Sequence, residues 1–93
     1  MKGTEKQVKW AEDIIANVEM ILSNMIKDCE NLEKSREGLS LTVNKYTAND
    51  VEKVKEDLMA KVNEMDAGQI IDKRNVLTNK NLLKATAVKY HNQ

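Results

Sequence analysis

GTEKQVKWAEDIIANVEMILSNMIKDCENL, residues 3–32, decides the fold. Its apolar residues Val8, Ala11, Ile15, Val18, Leu22, Met25, Cys29 and Leu32 recur in alternating steps of three and four. That spacing places side chains on one face of an α-helix, and here it persists as a heptad-like seam. Ile14 and Ile21 widen the seam on one side and Ile26 on the other. An apolar arc that wide buries against more than one neighbour. Thr4 and Gln7 have capping-box spacing, and Glu5 sits in the first turn against the positive end of the helix dipole. Gly38 is placed to end the helix as a C-terminal cap. The stretch therefore predicts one helix over about residues 5–36, roughly 45–50 Å long at 1.5 Å per residue. At that length it must bend near Asn24, project from the domain, or pair with a second copy.

The segment that follows, GLSLTVNKYTAND (38–50), gathers strand-like residues, with Leu39, Leu41, Val43 and Tyr46 alternating with polar ones. A single strand has nothing to pair with, so the expectation is an ordered loop. A second helix, about 50–65, opens with Thr47 or Asn49 as its cap; Asn49 with Glu52 has the stronger box spacing and Thr47 with Asp50 a weaker one. Its stripe, Val51, Val54, Leu58, Val62 and Met65, is narrow and predicts a helix on the outside of the bundle. Gly68, and Asp66 spaced for a box with Gln69, break the chain into a short third helix, about 67–74. A last helix, about 79–90, would present Leu82, Leu83, Ala87 and Tyr90 inward and leave His91–Gln93 to fray. The fold class read from these segments is all-α: a small bundle of three to four helices with one long N-terminal helix. The chain, 1–93, forms a single domain with frayed ends.

Composition bounds the function. The chain has 93 residues, 41% hydrophobic and 32% charged, with no Pro and no Phe. That fits a small soluble helical domain and neither a disordered tail nor a membrane span. No apolar run reaches the roughly 18 residues of a membrane-spanning helix, and MKGTEKQ lacks the apolar core of a signal peptide. A cytoplasmic location is the expectation. The lone Cys29 agrees with a reducing compartment. The formal charge is zero but uneven: residues 1–72 hold fifteen acidic and ten basic side chains, whereas residues 73–93 hold Lys73, Arg74, Lys80, Lys84 and Lys89 with no acid. Such a segment either meets an anionic partner or folds against the acidic helices.

Two motifs, TEKQVKWAEDI and DAGQIIDKR, carry a resemblance. Together they resemble a small helical module, of unknown function, in proteins of phages and mobile elements of Gram-positive bacteria. In that module a T/S-E-K-Q-x-x-W/Y-A-x-x-I opening is followed, some fifty or more residues on, by A-x-x-W-I-D-x-R. The opening corresponds to Thr4, Glu5, Lys6, Gln7, Trp10, Ala11 and Ile14, and the closing element to Ala67, Ile70, Ile71, Asp72 and Arg74. Ile70 stands where the tryptophan is expected. The resemblance implies a helical fold and a mobile-element origin, and it brings no catalytic residues with it.

Trp10 lies on the same helix edge as Ile14 and Ile21, an edge that needs a second packing partner. The short third helix, with Ile70 and Ile71, is the natural one, and Arg74 could lie over the indole or pair with Glu12 or Asp13. Trp10, Ile14, Ile70, Ile71 and Arg74 therefore form a candidate docking or interface set. Trp10 reads as a core residue, with an exposed binding aromatic as the alternative. Catalytic and metal sets are not indicated: His91 is the single histidine and reads as a solvated tail residue, Cys29 falls in the apolar seam, and one of each makes no zinc site. The expectation is a non-enzyme, without cofactor or metal, whose partner is a protein, either a second copy or a host protein, met through the long seam. Alternatives are a weak nucleic-acid binder using Lys73, Arg74, Lys80, Lys84 and Lys89, or an acidic inhibitor of a host defence nuclease.

Overall fold

In the computed structural model, which describes residues 1–93, every regular element is helical. The order is α1 (Glu5–Ser35), α2 (Leu39–Asn44), α3 (Ala48–Asn63), α4 (Ala67–Asp72), α5 (Arg74–Leu77) and α6 (Lys80–His91). Six helices thus stand where three to four were expected, and both additions are short. α2 forms from the stretch read as a loop. A lone extended segment would leave its backbone groups unpaired, whereas a helical turn satisfies them locally. Two left-handed residues bracket it, Gly38 at φ 78° and Lys45 at φ 68°. Its geometry buries Ser40 and exposes Val43, which an alternating strand would have turned to opposite effect. α5 arises because α4 ends at Asp72, sooner than expected, and the chain re-enters a helical turn that buries Leu77.

α1 starts as its capping box dictates: the Thr4 hydroxyl accepts from the Gln7 N–H at 3.2 Å, and the Gln7 side chain accepts from the Thr4 N–H at 3.1 Å. It ends at a cap on Arg36, while Gly38 opens α2 instead of closing α1. The buried seam is Ala11, Ile14, Val18, Leu22, Met25 and Cys29; Ile14 takes the central place expected for Ile15, which is half-buried. The helix is continuous, and its length of roughly 46 Å accounts for the molecule's longest dimension of 48 Å. It does not project bare. α4, α3 and α2 pack along it, and sixteen buried apolar residues join into one core. The seam expected to face a partner is therefore covered by the chain's own helices, because three short elements together match the length of one long one.

α3 is not an outer helix. It packs on α1 with one side and on α6 with the other. The narrow stripe suffices because α6 buries only Leu83 and Ala87 in return. These two are one helical turn apart; Leu82, about 100° round the helix, is exposed rather than inward. α3 opens at Thr47, not Asn49, with a box closed by Asp50.

Candidate interaction site

The two ends of the motif pair meet where α4 packs on the first turns of α1. The Ala67 N–H, at the first position of α4, donates to the Lys2 carbonyl at 2.7 Å. Gly3 adopts φ +151°, and a Cβ built on it would come within 2.7 Å of the Ala67 Cβ. Glycine is required there on both counts, conformation and space. α4 has its own reciprocal cap, in which the Asp66 carboxylate accepts from the Gln69 N–H at 2.8 Å. The opening and closing segments are thus brought together through backbone and small residues ahead of the tryptophan.

Among the docking candidates the outcome is mixed. Ile14, Ile70 and Ile71 are all buried in the core, Ile70 completely. Trp10 is 48% exposed and lies outside the core cluster, so the expectation of a core tryptophan is corrected. The indole falls at the rim of the α1 face, where the seam's own aliphatic residues and α4 already fill the interior. Arg74 covers it: the guanidinium carbon sits 5.2 Å from the ring centroid. That separation is within cation–π range. Nη1 of the same guanidinium donates to the Ile71 carbonyl at 2.7 Å, so the cation is anchored to the end of α4 while it stacks. Glu12 and Asp13 do not pair with it. One indole face is thereby occupied and much of the ring's remaining surface meets solvent.

A second polar centre lies at the start of α3. Asp50 is only 5% exposed. Its Oδ2 receives the Thr47 N–H and the Thr47 hydroxyl, each at 2.9 Å, and lies 3.0 Å from Nδ1 of His91. Burial alone would raise the carboxyl pKa. The Thr47 backbone and hydroxyl hydrogen bonds, with the hydrogen bond and charge of His91, more than offset it and hold the pKa below its ordinary value. The carboxylate is therefore an acceptor, and His91 Nδ1 is the donor. His91 was expected to be a frayed, solvated residue; its ring instead links the last turn of α6 to the first turn of α3. Forty-one positions separate the partners, so periodicity holds no signal for the contact. The weaker Thr47–Asp50 box was the one visible half of it.

Cys29 is fully buried beside the end of α2, where Asn44 Nδ2 approaches its sulfur at 3.8 Å. Burial pushes its thiol pKa up, against the weaker opposing effect of the neighbouring Ser40 and Asn44 side chains. A raised pKa leaves the thiol protonated and a poor nucleophile. Nearby, Ser40 donates to the Tyr46 carbonyl at 2.8 Å, and burial likewise raises the Tyr46 hydroxyl pKa.

The basic residues do not converge on one point. Lys73 follows α4, whereas Lys80, Lys84 and Lys89 ride on α6, with Lys84 half-buried. α6 packs on α3, yet no lysine or arginine lies within ion-pairing distance of a carboxylate. No group of three or more His, Cys, Asp or Glu side chains could hold a metal ion, and no helix is long and apolar enough to cross a membrane. Comparison of the chain with protein-family models, with characterised proteins and with solved structures finds no match.

Proposed function

We propose that this protein is a non-enzymatic helical interaction module of the phage or mobile-element type its two motifs resemble, and that it meets a protein partner through the Trp10 edge of α1. The observation that carries this reading is Trp10 itself, half exposed and pinned on one face by Arg74. An anchored aromatic loses little conformational freedom on binding and offers a large apolar area, which is why Trp and Arg dominate interface energetics. The long seam of α1 is unavailable for this role, being buried along Ala11–Cys29.

The test is partner capture with wild type and Trp10→Ala side by side, together with sedimentation of each alone. A host protein or a second copy retained by the wild type and lost by the variant, at unchanged helix content, supports the reading. Retention that ignores Trp10 overturns it.

One observation favours a second reading. Lys73, Lys80, Lys84 and Lys89 belong to a segment, 73–93, that holds no acidic side chain, and all but the half-buried Lys84 are exposed. Binding to random DNA that weakens steeply with salt would support it, and absence of binding at low salt would end it.

A further inference from the structure

Of the three longer helices, α1, α3 and α6, the last packs extensively on a single neighbour. Its extensive contacts are with α3 alone, and Leu83 and Ala87 are its only buried side chains. The seam between the two helices is incompletely filled: a cavity of about 140 Å³ opens there, lined by Val54, Asp57, Leu58, Lys61, Leu83, Thr86 and Tyr90. Both ends of α6 carry a distinctive arrangement. At its start, Asn79 Oδ1 accepts from the N–H groups of Asn81 and Leu82 at 3.0 and 3.3 Å, so the cap belongs to the segment itself and travels with it. At its end, His91 alone among the α6 side chains makes a polar contact with the rest of the fold, at the buried Asp50 carboxylate. The chain before α6 is fixed separately, by the burial of Leu77 and the Thr78 hydroxyl bond to the Arg74 carbonyl at 2.7 Å.

We propose that α6 is a detachable helix, hinged at Thr78–Asn79 and latched at its far end by the His91–Asp50 contact, and that it opens from α3 as a unit while α1 to α5 stay folded. Cooperative units of this kind open at free energies below that of global unfolding where few apolar contacts hold them. Opening uncovers an apolar strip in which the closed form buries Val54 and Leu83 and half-buries Leu58 and Tyr90. The latch sits at the position of greatest leverage, farthest from the hinge. The device is independent of the Trp10 edge, which lies at the α1–α4 junction.

Native-state amide hydrogen exchange of the full chain tests this. In the wild type, the amides of Ala85–Val88 should exchange by an opening that leaves those of Val18–Met25 protected. His91→Ala should speed exchange in α6 by about fivefold, the scale of one partly screened hydrogen bond to a charged group, and the Val18–Met25 amides by no more than that, because global unfolding loses the same contact. Leu83→Ala, which removes the largest buried α6 side chain, should accelerate the same amides further. If α6 and α1 share one protection factor in the wild type, the helix does not detach. If His91→Ala leaves the α6 amides unchanged, the contact is not a latch.

Discussion

Asp50→Ala removes a single acceptor atom from three donors at once. Oδ2 holds the Thr47 N–H and hydroxyl at 2.9 Å each and His91 Nδ1 at 3.0 Å. Loss of a capping side chain costs about 1 kcal/mol. A hydrogen bond to a buried charge contributes about 1.5–3 kcal/mol, but the imidazole side of this one is 38% exposed, and screening brings it nearer to about 1 kcal/mol. The expected loss is about 2 kcal/mol, or roughly 8–16 °C in Tm for a domain of this size. Urea unfolding followed by helical circular dichroism measures it. His91→Ala should cost about 1 kcal/mol in the wild type and close to nothing in the Asp50→Ala background, since the partner is already gone. The effect also depends on pH. The Asp50 pKa is lower in the folded protein than its ordinary 3.8. Its stabilising contribution is therefore fully present above the unfolded value and is lost as pH falls through the folded one. Wild type and Asp50→Asn should accordingly converge in stability in strongly acidic solution. A cost for Asp50→Ala below about 0.5 kcal/mol, or an undiminished effect of His91→Ala in its background, would refute the reasoning.

Gly3→Ala should destabilise by about 1–3 kcal/mol, from a φ of +151° and a Cβ at 2.7 Å from Ala67; adding Ala67→Gly should recover only the steric part, as read by thermal melting. Arg74→Ala should increase quenching of Trp10 fluorescence by neutral acrylamide and cost about 0.5–1 kcal/mol, and unaltered quenching would mean that the guanidinium shields nothing. Cys29, buried and with its pKa raised, should resist thiol reagents in the native protein at neutral pH and react stoichiometrically once unfolded. Prompt native labelling would contradict its place in the core.

The long first helix was legible because its signals are local. The Thr4–Gln7 box, the three-and-four spacing and the acidic first turn all act within a few residues of one another. The breaks around Asp66–Gly68 were legible for the same reason. Misreadings arose where context outweighs pattern. Leu39–Val43 alternates like a strand, but with no partner strand the backbone closes its hydrogen bonds as a helical turn. The stripe of α3 is narrow because α6 is a light partner, not because α3 lies outside. Leu82 and Leu83 are equally apolar, and only the rotation of α6 against α3 decides which one is covered.

The candidate site divides along the same line. Sequence alone determined that Trp10 and Ile14 share one edge of α1 and that Arg74 ends the closing motif, since both facts depend on local spacing along the chain. Which residue covers the indole was a tertiary matter: Ile70 and Ile71 turn into the core, and the longer Arg74 side chain reaches back over the rim. The same holds for Asp50 and His91, separated by 41 positions. Helix periodicity extends over a turn or two, whereas contacts between distant helices depend on how those helices pack. Local hydrogen bonding and apolar spacing therefore specified the helices, and only their packing decided which side chains were left at the surface and which were joined.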